Sequence, residues 1–268
     1  MRLSDRRIAR SLLLISAALR PPPGWRRIGA ALAIGLFCHL IFAAAVFAMM
    51  RGMFFGMNAG FGAVPWPWAA LANAALILQF PLVHSWLRTG AGGRLLARAV
   101  PRHGATLSTT TYAIVASAQL LALFTLWTPS GVIWWTAEGW VFWLICAAYA
   151  SAWLLLSKAT FDAGIEVQSG ALGWLALLAR IRPRYPGMPT RGLFALVRQP
   201  IYVAFTLTLW TVPVWSPDQL AVALSLSAYC LVAPRFKERR FHRRYGDRFA
   251  AYRARTPYAL PRLLRPKA

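Results

Sequence analysis

Apolar residues in this chain come in long runs, with little of the alternation that marks a half-buried strand. Six stretches, 28–50, 68–87, 111–127, 140–157, 201–215 and 219–233, are apolar almost without interruption. A straight helical crossing of a bilayer takes roughly 17–25 residues. The first four stretches meet that length. The last two are short, which predicts tilted helices or a tight re-entering hairpin. The pattern therefore predicts an all-α polytopic membrane protein of about six transmembrane helices, with a short hairpin at the end.

Polar positions sharpen this picture through their placement. The chain has 268 residues, is 58% hydrophobic and only 14% charged, yet carries a formal net charge of +23. Of its 30 Lys and Arg residues, 29 fall on alternate segments between the apolar runs, with Arg51 as the exception. That distribution fits the excess of positive charge on cytoplasmic loops and places both termini in the cytoplasm. Charge of this kind also favours contact with anionic lipid headgroups. It argues against nucleic acid as a partner, because no nucleic-acid-binding motif accompanies it. Cys38, Cys146 and Cys230 lie in three different spans, without the spacing of a disulfide framework or a zinc site.

Three regions follow. Residues 1–27 form a basic cytoplasmic N-terminus whose run 11–19 is too short to span and, broken by Pro21-Pro22-Pro23, reads as an interfacial helix. Residues 28–157 hold four membrane helices. Residues 158–268 hold a Pro/Gly-punctuated loop, the hairpin and a basic tail. In that tail Phe241, Tyr245, Phe249 and Tyr252 recur at spacings of four, four and three, which predicts an amphipathic helix with one aromatic face, ended by Pro257. Such a helix lies on headgroups or closes as a lid over a bound molecule.

Acidic and imidazole groups are few enough to weigh singly. Asp162 and Glu166, four apart, are expected to share a helix face, exposed or paired with Arg. Asp218 follows Pro217 and is a candidate cap for the last span. His39 lies inside the first span, where an ionisable group is a functional candidate and a neutral His bonded to a neighbouring helix is the simpler reading. No His pair has metal-ligand spacing, and no nucleophile, His and acid recur in a known order, so a metal site or a hydrolase has little support.

The sequence from about residue 78 to 262 resembles the isoprenylcysteine carboxyl methyltransferase superfamily of membrane methyltransferases, nearest its bacterial methanethiol S-methyltransferase and NnrU-like branch. The carrying residues begin with Gly192-Leu193-Phe194, then Arg198-Gln199-Pro200-Ile201-Tyr202, where the family pattern reads G-L-Y-x-x-x-R-H-P-x-Y. Lys237-Glu238-Arg239 stands where it reads E-E-R, and Tyr245-Gly246-Asp247 through Tyr252, with Pro257, stands where it reads F-G-x-x-Y-x-x-Y and a later Pro. Upstream, His84-Ser85 and Phe161-Asp162 with Gln168 look like landmarks of the methanethiol branch.

The resemblance implies an S-adenosylmethionine-dependent methyltransferase in a bacterial inner membrane. Its donor would lie on the cytoplasmic side, and its lipophilic or small thiol acceptor would arrive from the bilayer. Arg198 and Glu238 become the catalytic candidates. Phe194, Arg198, Gln199, Pro200, Tyr202, Glu238, Arg239 and Tyr245 become the candidates for holding the donor, with His84 and Asp162 on the acceptor side. Aromatic faces such as Phe194, Tyr202 and Tyr245 suit a sulfonium, and Arg198 or Arg239 suits a carboxylate.

Three positions depart from the pattern: Gln199 replaces His and cannot titrate, Lys237 replaces the first Glu and reverses its charge, and Ala204 replaces Gly. The first two keep a non-catalytic, NnrU-like accessory protein as an alternative. A small transporter is a more distant one, since the spans lack internal repeats and buried charge pairs.

Overall fold

The computed structural model describes residues 3–261; residues 1–2 and 262–268, at the ends of the first and last regions, lie outside the described residues. In chain order the elements are α1 (Leu3–Leu19), α2 (Trp25–Phe54), α3 (Trp68–Leu87), α4 (Gly90–Arg98), α5 (Gly104–Thr125), β1 (Trp135–Thr136), α6 (Gly139–Gln168), α7 (Ala171–Leu178), α8 (Leu193–Leu196), α9 (Pro200–Trp210), β2 (Val214–Trp215), α10 (Pro217–Tyr245) and α11 (Asp247–Arg255). Among the described residues five helices, α2, α3, α5, α6 and α10, are long and apolar enough to cross a membrane. In their apolar windows only 11–39% of residues are buried within the protein. Phe37, Phe47, Trp143 and Leu154 are among many large apolar side chains left on the outside. That surface suits a lipid solvent. This is an all-α integral membrane protein.

The last apolar pair departs from two short arms of similar length. α9 has 11 residues and is about 16 Å long at 1.5 Å per residue, roughly half a bilayer core. α10 has 29 residues and runs on from the apolar stretch into the basic tail. The start of the tail, including Phe241 and Tyr245 of the expected amphipathic helix, is therefore α10's second half. It ends at Gly246, and α11 supplies the remaining tail helix. Pro234 inside α10 does not stop it. The cap of α10 is Ser216, whose hydroxyl accepts from Gln219 N at 2.9 Å, while Asp218 instead accepts from the Ser130 backbone N–H at 2.9 Å.

The chain divides into two compact units. The first comprises residues 1–52, 59–129 and 164–186. In it α5 packs against α3, α4 and α7, and α1 lies on α7. Small residues allow the close approach. A Cβ on Gly173 would strike Thr110 Oγ1, and that hydroxyl donates to Gly170 O at 2.6 Å while accepting from Trp174 N at 3.0 Å. His39 takes the simpler role: Trp174 Nε1 donates to its Nε2 at 3.1 Å.

The second unit comprises residues 53–58, 130–163 and 187–268. α9 and α11 both pack on α10. β1 and β2 pair antiparallel, Trp135 opposite Trp215 and Thr136 opposite Val214. α6 is interrupted at Gly164, whose φ of 105° no L side chain adopts readily. The break puts Asp162 and Glu166, expected to share a helix face, on separate helical segments, Asp162 in the second unit and Glu166 in the first. Asp162 pairs with Lys158, and Glu166 with Arg10.

Candidate functional site

The motif segment 192–202 is shaped by local constraints. Gly192 holds φ 60°, and a Cβ there would fall on the Asp162 carboxylate. That carboxylate accepts from Leu193 N at 2.9 Å and so holds the first turn of α8. Val197 is extended, and Pro200 occupies the first turn of α9, where its missing N–H costs nothing. Between them Arg198 and Gln199 project toward α10.

Three side chains meet there. Arg198 Nε donates to Glu238 Oε1 at 2.8 Å, and Gln199 Nε2 donates to the same oxygen at 2.7 Å. Glu238 Oε2 is held more loosely, 3.5 Å from Arg198 Nη2. The pair is largely shielded, with side-chain exposures of 10% for Arg198 and 15% for Glu238. Gln199 is 2% exposed, and its buried Oε1 has no hydrogen-bond partner. A buried acceptor left in that state costs free energy that a bound donor group would recover.

The tail closes over this cluster as a strap. Arg198 N donates to Pro257 O at 2.9 Å and Gln199 N to Tyr258 O at 3.1 Å. Arg198 Nη1 donates to Thr256 O at 2.6 Å and Arg253 O at 3.2 Å, and its guanidinium lies 5.5 Å from the Tyr258 ring. Arg198, expected to hold a donor's carboxylate, thus has its fork committed to Glu238 and the strap. Tyr252 OH donates to Phe194 O at 2.6 Å. Burial pushes the Tyr252 hydroxyl up to about 12, with Arg198 opposing and Glu238 adding to the effect. Burial, then Glu238, raises Tyr258 as well.

Beside the polar cluster lie the aromatic rings. Met188, Phe249 and Tyr252 form a buried group flanked by Phe241 and Tyr245. All four aromatic positions of the tail stripe therefore gather, although two helices supply them. The Lys237 ammonium sits 5.4 Å from the Tyr202 ring centre and 5.8 Å from those of Phe194 and Phe241.

Phe194, Arg198, Gln199, Pro200, Tyr202, Glu238 and Tyr245 are thus all in one unit, on α8 to α10 and the turns between. Arg239 faces outward, with its guanidinium 5.6 Å from the Phe236 ring. Asp162 meets the motif at the Leu193 backbone N–H. His84 belongs to the first unit, where its Nε2 is 2.6 Å from Tyr112 OH, with the Arg88 guanidinium 5.8 Å from the same tyrosine ring. The Lys237 placement, the strap 256–258 and the Tyr252 bond were missed by sequence reasoning. Pro257 was the one signal of the strap, and it reads there only as a helix stop.

No family model matches the chain, and no solved structure matches it. It is 28% identical to a methanethiol S-methyltransferase of Pseudomonas sp. over 239 residues, covering 87% of this chain and 90% of that protein. It is 29% identical to methanethiol S-methyltransferase 2 of Bradyrhizobium diazoefficiens over 73% of this chain and 74% of that protein. It is 28% identical to a methanethiol S-methyltransferase of Mycobacterium tuberculosis over 74% of this chain and 81% of that protein. Over most of its length, then, the chain is similar to proteins of the methanethiol S-methyltransferase-like branch, the same branch that its motif residues resemble.

Proposed function

We propose that this protein is an integral membrane methyltransferase that transfers a methyl group from S-adenosylmethionine to a small thiol such as methanethiol, or to another lipophilic acceptor. The observation that carries the reading is the convergence of Arg198, Gln199 and Glu238 beside the Phe194, Tyr202 and Phe241 rings, in a chain similar over most of its length to proteins of that name.

The residues present fit the donor. It carries an ammonium as well as a sulfonium, and Gln199 Oε1 and Glu238 Oε2 are acceptors with capacity left for the ammonium. The rings suit the sulfonium. When bound, S-adenosylmethionine supplies a methyl group on a positively charged sulfur, open to direct displacement. The chain then has little chemistry left to perform beyond alignment and exclusion of water. Glu238 orients Arg198 and Gln199, and the strap 256–258 covers them. A thiol must lose its proton before it attacks, since the thiolate is the nucleophile. Cationic side chains near the acceptor favour that ionised form. Gln199 does not take up the proton, because an amide does not titrate.

The charge alternation supports a site on the cytoplasmic face of a bacterial inner membrane, with both termini on that side. The basic tail of α10 and α11 suits anionic headgroups, and the exposed apolar spans suit an acceptor that partitions into lipid. The test is transfer of labelled methyl from S-adenosylmethionine by the purified protein in nanodiscs, offered methanethiol, longer thiols, lipid carboxylates and amines. Saturable transfer to thiols is the expected result. Saturable donor binding with no transfer to any acceptor would favour the accessory-protein alternative, and neither binding nor transfer would overturn the reading.

A further inference from the structure

Lys237 stands one residue before Glu238 on α10, where the resembled pattern carries a carboxylate. It extends into the ring cluster, and its ammonium lies within 5.4–5.8 Å of three ring centres, those of Phe194, Tyr202 and Phe241. Phe194 is 2% exposed and Lys237 half-buried. Each ring lies within the roughly 6 Å at which the face of an aromatic attracts a cation. Three rings around one cation form a cage, and such cages select onium groups over neutral ones.

We propose that Lys237 is an internal occupant of the cage that receives the donor's sulfonium, and that it must withdraw before the donor engages. This rests on the donor assignment above. An ammonium and a sulfonium bear like charge, so the cage holds one of them at a time. Lysine is suited to leaving, because its four-carbon stem carries a strongly hydrated head that reaches solvent at small cost. Position 237 therefore sets the donor affinity and the discrimination between the charged donor and its neutral product. A glutamate there would leave the rings to the ligand and add attraction. Lysine lowers the affinity for the charged donor and leaves that for the neutral product nearly unchanged.

The test compares wild type, Lys237→Ala and Lys237→Arg, all full-length in nanodiscs, by equilibrium binding of S-adenosylmethionine and of S-adenosylhomocysteine, which lacks the charge. Lys237→Ala is expected to tighten S-adenosylmethionine roughly tenfold and to leave S-adenosylhomocysteine within about twofold. Lys237→Arg keeps a cation over the rings and is expected to resemble wild type. Adding Tyr202→Leu to Lys237→Ala should remove most of the gain. Lys237→Gln serves if the alanine variant does not fold. Equal loss of affinity for both ligands would mean that Lys237 holds their shared carboxylate, and would overturn the proposal, as would unchanged affinity for S-adenosylmethionine. Trimethylsulfonium separates this proposal from the donor assignment. If no variant binds S-adenosylmethionine but Lys237→Ala binds trimethylsulfonium more tightly than wild type, the cage stands and the donor assignment fails. If neither ligand tightens, the cage itself is refuted.

Discussion

Two buried amides in this protein meet different surroundings. Asn73, in the first unit, is satisfied at both ends by a single residue: its Nδ2 donates to Thr128 O at 2.8 Å and its Oδ1 accepts from Thr128 N at 3.0 Å. Gln199, in the second unit, gives its N–H to Glu238 at 2.7 Å and leaves its Oε1 unmet. The first arrangement is neutral and closed. It pins the backbone at Thr128 to α3, and nothing remains for a ligand. The second is charged and open, and it stands beside a ring cluster that already holds a cation. Gln79 with Gln119, and His39 with Trp174, are further neutral contacts of the first unit, which also holds the charged Arg10–Glu166 pair. Charges inside a membrane span are costly, so those that occur there tend to mark function. Gln119 and Gln219 also leave a buried Oε1 unmet, so what sets Gln199 apart is its place beside Glu238 and the rings, where the proposed function puts the donor.

The hardest way to break that contrast is to remove Glu238. Glu238→Ala leaves the Arg198 guanidinium and the Gln199 amide shielded without their shared acceptor. The expected cost is about 3–5 kcal/mol, read from unfolding in micelles, together with loss of donor binding. Asn73→Ala is expected to cost about 1–3 kcal/mol while leaving donor affinity unchanged. If the two variants changed both quantities alike, the distinction between structural and binding amides would collapse.

Tyr252→Phe tests the strap more gently. Its hydroxyl to Phe194 O is one neutral hydrogen bond, worth about 1 kcal/mol. The folded hydroxyl titrates at about 12 against an ordinary value near 10, so the folded chain keeps a proton that the unfolded chain gives up. Its contribution is full below about pH 10 and is lost as pH rises toward 12. Melting temperature measured across that window should converge for wild type and Tyr252→Phe. Gln199→His is the smallest change in stability, expected within about 1 kcal/mol. Its signature is a new titration in the transfer rate that wild type lacks at that position, because an imidazole ionises where an amide does not.

Much of the fold was legible because each apolar run has its own length, and hydropathy records burial in lipid directly. The runs at 68–87 and 140–157 fall within α3 and α6. The junction of the last span with the tail was not. A change from apolar to basic composition looks like an element boundary, yet backbone hydrogen bonding continues past Pro234 to Tyr245. The motif order put Arg198, Gln199 and Glu238 in view together. What they do to one another was hidden, because contacts across 39 and 40 residues have no local signal. The same holds for Asp162: its spacing to Glu166 suggested a helix face, and the Gly164 break together with the Leu193 N–H decided otherwise.

The central claim is that the Gln199–Glu238 cluster and its rings hold S-adenosylmethionine. It is tested most directly by equilibrium binding of methyl-labelled S-adenosylmethionine to wild type and Tyr202→Ala in nanodiscs, with matched unfolding curves. The account predicts saturable binding to wild type that weakens several-fold in Tyr202→Ala at unchanged stability. Equal binding to both, or no saturable binding to wild type, would contradict it.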